Sequence, residues 1–457
     1  MTAFTGAGIL FRLALRRDRV KLAFWVLGVP VVAAVTATSV ADLYQTEPAR
    51  IAYAQTTAAS VVARAFNGPA SGAEAGAVVA AESYATLAVL TALLTTFAVI
   101  RHTRQNEETG RAELIGSGIV GRHAQLVAAL AVAVGANLLS GGLIALALLV
   151  VGLPIAGSLA YGSVISAVGV AFAGLAAVAA QVSGTSRGAN GLAAATVGLA
   201  FFLRAVGDSF GEVGTDGLRV TSAWPSWLSP LGWGNQVRAY DANRWWVLAL
   251  SAGLFVVSVA VAFQLTRQRD LGRGMLPDRR GPASATPRLL SPFGLAWRLQ
   301  RGGLLGWAVA LALLGVAMGA VGDEVDDLLR DNEEAKALLG HVGGTDLTDS
   351  YFTVMMGLFG FAVAGYAVQA LLRLHTEETG PLEAVLATAV SRGRWLAGHV
   401  MCALLGVVVL TVLAGVTTGL GYGLVTGDLA GRLPRMTGAA LVQVPAVLVL
   451  GGLVVGV

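Results

Sequence analysis

The chain is predicted to be an all-α polytopic membrane protein with about ten transmembrane helices, built as two tandem six-helix-type repeats, the second cut short. Three observations predict this. Hydrophobic residues make up 55% of its 457 residues and charged residues only 13%, with a mean hydropathy of +0.71, whereas soluble domains carry about 25% charged residues. Apolar runs of spanning length recur from near residue 22 to the last residue. A block of polar loop sequence returns 270 residues after its first appearance.

A spanning helix needs about 20 mostly apolar residues at 1.5 Å each to cross roughly 30 Å of hydrocarbon. The first such run, 22–41, follows the basic stretch LRRDRVK and contains Ser39-Val40-Ala41, which resembles a signal-peptide cleavage site. Signal cores run only about 7 to 15 residues, so the segment is read as a retained first span. The next spans are expected at 78–100, 124–151, 158–182, 189–207 and 245–265, closing the first repeat at residues 1–265. A basic, Pro- and Gly-rich linker, 266–302, leads to a second repeat, 303–457, with spans at 303–321, 351–372, 396–423 and 436–457. Two spans matching 189–207 and 245–265 have no counterpart there, and the second repeat is read as truncated.

Placing the N-terminus in the cytoplasm puts 21 Lys and Arg residues in cytoplasmic loops and 9 outside, with Arg204 inside a span. That bias follows the positive-inside rule and points to a multi-pass membrane protein with a cytoplasmic N-terminus, and 2 Lys against 29 Arg hint at a GC-rich bacterial genome and hence a bacterial cell membrane. The outer loop with Asp323, Glu324, Asp326, Asp327, Asp331, Glu333 and Glu334 lacks the ligand spacing of a calcium loop and reads as a solvated helix. The basic residues are scattered between apolar runs, which excludes a nucleic-acid surface. The single Cys402 leaves no disulfide framework and no cysteine metal site, and reads as a small buried hydrophobe.

The repeat carries the most specific signal. EETGRAELIGSGIVGR, Glu107 to Arg122, returns as EETGPLEAVLATAVSR, Glu377 to Arg392. Upstream, Leu13, Ala14, Arg16, Arg19 and Trp25 align with Leu295, Ala296, Arg298, Arg301 and Trp307. Each EETG block falls in a loop between the second and third spans of its half, where a short acidic, amphipathic segment suits docking to a soluble partner. Glu107, Glu108 and Glu113, with Glu377, Glu378 and Glu383, are the candidate docking carboxylates. Glu107 and Arg111 stand four apart in the order that favours an intrahelical pair, while Pro381 replaces that Arg in the second copy.

With the two EETG loops, WLSPLGWGNQVRAYDANRWW (Trp227 to Trp246) and RDLGRGMLPDRRGPASATPRLLSPFGLAWRLQRG (Arg269 to Gly302), the chain resembles the ABC-2-type permease subunits of actinobacterial exporters of the polyketide-antibiotic, tetronasin type. The resemblance covers essentially the whole chain. It implies that each EETG loop is a coupling helix contacting an ATPase, with Glu107, Glu108, Gly110, Arg111, Glu113, Glu377, Glu378, Gly380 and Glu383 at the contact. It further implies a fused permease working with an ATPase homodimer and exporting small lipophilic or amphiphilic compounds. No GxxxxGK[ST] phosphate loop occurs, so the chain is expected to bind no cofactor itself and to draw on ATP through its partner.

Charges inside a membrane are expensive and mark candidate sites. Glu82 opens the second span in Glu82-Ser83-Tyr84, paralleled by Asp349-Ser350-Tyr351, and is read as an acid stabilising a helix N-terminus at the outer interface. Arg204 is placed to snorkel or to pair with Asp208. Asn137, Gln181 and Gln443 are expected to bond between helices. Trp224, Trp227, Trp233, Trp245 and Trp246 form an outer aromatic belt. Glu82, Arg204, Trp227 and Trp233 are also the candidates for substrate or gate contact. His102, His123, His341, His375 and His399 lack metal spacing and read as interfacial anchors. Two other function classes are open. A secondary, ion-coupled transporter would require clustered intramembrane carboxylates, and a membrane enzyme would require a catalytic constellation at an interface; the sequence offers neither.

Overall fold

The computed structural model describes residues 2–270, 272–276, 284–320, 322, 347–378 and 382–456. Among them, ten helices are long and apolar enough to cross a membrane, and the protein is an all-α polytopic membrane protein. The chain divides into two compact units, Met1–Arg279 and Arg280–Val457. The acidic outer loop from 323 and His341 lie outside the described residues.

In the first unit the spanning helices are α1 (Ala7–Leu43), α4 (Ala75–His102), α7 (Ala124–Val150), α8 (Ile155–Val182), α9 (Ser186–Ser209) and α11 (Leu248–Gln268). The sequence places the first span at 22–41, but α1 begins at Ala7. Its 37 residues amount to roughly 55 Å, well beyond the hydrocarbon thickness, so its Arg-rich first turns stand at the membrane face. α8 is the central helix, packed against α4, α7, α9 and α11. Its approach to α7 depends on two glycines: a Cβ on Gly141 would lie 2.3 Å from the Gly162 carbonyl oxygen, and one on Gly162 2.2 Å from that of Gly141. The close contact suits lipid, where association relies on packing and interhelical hydrogen bonds. Asn137 supplies such bonds, donating to Thr95 at 3.0 Å, while its carbonyl accepts from Ser166 at 2.9 Å.

At the far end of this unit sits a cap that the span pattern did not foretell. It comprises α2 (Glu47–Ala59), α3 (Val61–Phe66), a two-stranded hairpin of β1 (Glu212–Val213) and β2 (Val220–Thr221), and α10 (Pro230–Gln236). Hydroxyl bonds hold it to the spans: Tyr84 to the Leu231 carbonyl, and Ser158 with Tyr240 at 3.0 Å.

The second unit repeats the plan. Its helices are α12 (Pro292–Ala320), α13 (Leu347–Glu378), α15 (Arg392–Thr426), α16 (Leu429–Leu441) and α17 (Val444–Gly456), with a short α14 (Leu382–Leu386) in the EETG loop. α12 packs on α15, α15 on α16, and α13 on α17, matching α1 on α7, α7 on α8, and α4 on α8. The span expected at 436–457 is broken at Val442-Gln443. Pro445 explains the break, since it lacks the N–H that would bond back to the preceding turn. The basic stretch read as a linker is structured at both ends. The Met275 and Leu276 N–H groups donate to the Gln181 and Val182 carbonyls at 3.1 and 3.0 Å, and α12 starts at Pro292.

Candidate functional site

In each unit the EETG loop lies at the end of the bundle where that unit's first helix begins. In the first, α4 ends at His102 and the chain turns through α5 (Arg104–Glu108) into α6 (Arg111–Gly116). Gly110 joins these short helices with φ of +72°, in open space where a side chain would meet nothing. The motif's glycine therefore serves a left-handed turn and not a close approach. The turn also separates Glu107 from Arg111, so the intrahelical pair inferred from their spacing does not form.

Glu107 is the hub of a buried network, its side chain only 6% exposed. Its carboxylate accepts from Arg104 at 2.9 Å, from both terminal nitrogens of Arg269 at 2.8 and 2.5 Å, and from the Gly272 N–H at 3.2 Å. Arg104 is fully buried and also donates to the Ala180 carbonyl at 2.7 Å, while Arg269 donates to the Gln181 side chain at 2.6 Å. Bidentate guanidinium–carboxylate geometry of this kind fixes orientation as well as energy. The loop is thus riveted to the end of α8 and to the segment after α11. Glu108, by contrast, is exposed and accepts from the Ser186 N–H at 3.0 Å and from its hydroxyl, at the N-terminus of α9 where a carboxylate is favoured. Glu113 and Arg111 are exposed, as are Leu114 at 78% and Ile119 at 70%.

The second unit buries the equivalent carboxylate with different partners. Glu377 accepts from Arg373 at 3.3 Å and from the Trp395 indole at 3.3 Å, and lies 3.2 Å from His399 Nε2. Arg373 also donates to the Leu299 carbonyl at 3.0 Å, which ties the loop to α12. Glu383 is exposed on α14, one residue after the buried Leu382, as Glu113 follows the buried Ala112. Gly380 and Pro381 lie outside the described residues, as does the side chain of Glu378.

Of the docking carboxylates read from sequence, then, Glu107 and Glu377 point inward, and Glu113 and Glu383 outward. Their inward partners were missed. Arg104 and Arg373 stand three and four residues before their glutamates, a spacing visible in sequence, but Arg269, Trp395 and His399 are distant in the chain. The histidines read as interfacial anchors also behave differently. His102 is buried with its Nε2 3.0 Å from Asp18, which pairs with Arg101 at 2.7 Å. His399 is fully buried. His123, buried between Phe4 and Phe263, has a pKa lowered by burial and by Arg267 and Arg122.

At the opposite end, Arg204 and Asp208 are both buried and face each other at 3.6 Å. Arg204 donates to the Ala65 and Phe66 carbonyls at 2.5 and 2.9 Å, and Asp208 accepts from Asn235 at 2.9 Å. The pair fastens the cap to α9. Glu82 is two turns inside α4, which begins at Ala75, so it does not stabilise that helix's N-terminus. It sits instead beside Tyr53, whose hydroxyl burial and the Glu82 charge push up. The Trp233 indole donates to the Trp227 carbonyl at 2.6 Å and Trp227 stacks on Trp246, while Trp224, Trp245 and Trp246 are exposed, as an aromatic belt requires.

The chain is 44% identical over 460 residues to the multidrug efflux system permease protein Rv1217c of Mycobacterium tuberculosis, a match covering all of this chain and 81% of the relative. The chain belongs to the family of efflux-system permeases. Its residues 289–457 also match the family model described as the C-terminal domain of the multidrug efflux system permease Rv1217c. This permease is accordingly a transport protein and not an enzyme.

Proposed function

We propose that this permease is the membrane-spanning subunit of an ATP-driven exporter, moving lipophilic or amphiphilic compounds, polyketide antibiotics among them, out of the cell with energy from a separate ATPase homodimer. The observation that carries the reading is the recurrence, in both units, of a loop whose first glutamate, Glu107 or Glu377, is buried as an anchor and whose third, Glu113 or Glu383, projects outward on a short helix. An anchored loop transmits force to the spans behind it; a floppy one does not. Glu108, Glu113 and Glu383, with Leu114 and Ile119, offer a mixed charged and apolar surface to the ATPase. The excess of Lys and Arg in the loops assigned to the same face supports a cytoplasmic N-terminus. Among the described residues, carboxylates do not cluster at the middle of the spanning helices, Glu82 lying two turns inside α4 and Asp18 three turns inside α1, which gives the ion-coupled alternative no mid-membrane relay of paired acids.

The test is co-purification from membranes with the ATPase encoded beside this chain. A Glu113→Lys/Glu383→Lys variant should insert normally, unfold at the native temperature and lose the ATPase. Equal recovery of the ATPase by both proteins would overturn the docking assignment.

A further inference from the structure

A cavity of about 400 Å³ opens at the loop end of the first unit, between α1, the α5–α6 loop and α7. That volume is in the range of small-molecule and lipid-headgroup sites. Its lining is two-sided. Leu10, Leu13, Ile115, Ala128 and Ala129 form apolar walls, and Arg17, Arg111, Asn106 and Gln125 bring polar atoms to the space.

The charge balance singles it out. Arg101, Arg104 and Arg269, all close by, are each matched to Asp18 or Glu107. Arg17 donates at 2.7 Å to the neutral Asn106, and neither Arg17 nor Arg111 pairs with a carboxylate among the described residues. Asp18, the nearby acid, is already engaged by Arg101 and His102. The cavity therefore holds two uncompensated guanidinium groups above a hydrocarbon-like wall, at the level where α1 leaves the membrane. The repeat supplies an internal control: the positions of Arg17 and Arg111 are Leu299 and Pro381 in the second half. A scaffold role common to both halves would not need these charges.

We propose that this cavity binds the phosphate headgroup of an anionic phospholipid from the adjacent leaflet, Arg17 and Arg111 holding the phosphate and Leu10, Leu13 and Ile115 taking the first carbons of its chains. Basic pockets between spanning helices are suited to such headgroups, and guanidinium forks match phosphate oxygens. A lipid seated there would bridge α1 to the EETG loop. The proposal rests on the functional reading above only for naming that leaflet cytoplasmic, and its test needs no ATPase, so the two can fail separately.

The full chain, delipidated in detergent, is titrated with phosphatidylglycerol or phosphatidylcholine and adducts are counted by native mass spectrometry. One phosphatidylglycerol should bind before any other lipid. Arg17→Gln/Arg111→Gln should weaken that adduct about tenfold or more, and Arg12→Gln/Arg16→Gln, exposed on the same helix but outside the cavity, should not. Ile115→Asp, which leaves both arginines in place, should weaken it too. Equal retention in all variants, or equal loss in the cavity and control pairs, would overturn the site. Arginine-dependent binding of dodecyl phosphate without phosphatidylglycerol would make the occupant a soluble amphiphile, and equal competition by inorganic phosphate a bare anion site; either contradicts the lipid assignment.

Discussion

The two EETG loops share a motif and an anchoring principle but not an anchoring chemistry. In the first unit Glu107 is held by two arginines, one of them fully buried, in a closed ionic network. In the second, Glu377 is held by a partly exposed arginine, an indole and an imidazole. The difference teaches that the repeated residue is the acceptor, while its donors differ from one unit to the other. It also predicts that the two loops differ in how firmly they are fixed.

The largest expected effect is therefore Glu107→Ala. It strands the charge of Arg104 in the interior, and breaking such a pair costs about 3–5 kcal/mol. A fluorescence-detected thermal unfolding curve should show a strongly destabilised protein, and near-native stability would erase the distinction between the loops. Glu377→Gln should cost less, roughly 1–3 kcal/mol by the same measurement, because Arg373 reaches solvent and a neutral amide still accepts from Trp395. If this variant proved the more damaging, the comparison would be inverted. Gly110→Ala sharpens it further: the left-handed φ should cost about 1–2 kcal/mol, although the space around it is open.

The smallest effect concerns pH. His123 has a folded-state pKa below its ordinary 6.5, so its neutral form is the one the fold prefers. Stability from the Phe4–His123–Phe263 packing is present above the unfolded pKa and lost as pH falls below about 6.5. Hydrogen exchange at the backbone bonds from Gly121 to Thr5 and from His123 to Ala3 should then accelerate. His123→Phe should flatten that dependence, and exchange rates that track only the intrinsic chemistry would remove the role.

The spans were legible because length and hydropathy are local properties, and ten apolar helices follow from them. The repeat was legible because EETG and its third glutamate return at one offset. The direction in which each glutamate faces was not. Arg269 reaches Glu107 across 162 positions, and no local pattern encodes that meeting. Nor did apolar content betray the break before Pro445 or the cap built from α2, α3, α10 and the hairpin. Those elements are short and polar, and their order comes from tertiary bonds such as those of Arg204 and Tyr84.

The central claim is that this permease moves its cargo with energy delivered through the outward faces of its two anchored loops. Proteoliposomes holding the permease and its ATPase, loaded with a lipophilic fluorescent dye, test it most directly. Dye movement should require ATP, survive a protonophore and vanish in the Glu113→Lys/Glu383→Lys variant. Movement that proceeds without ATP and collapses with the proton gradient would contradict the account.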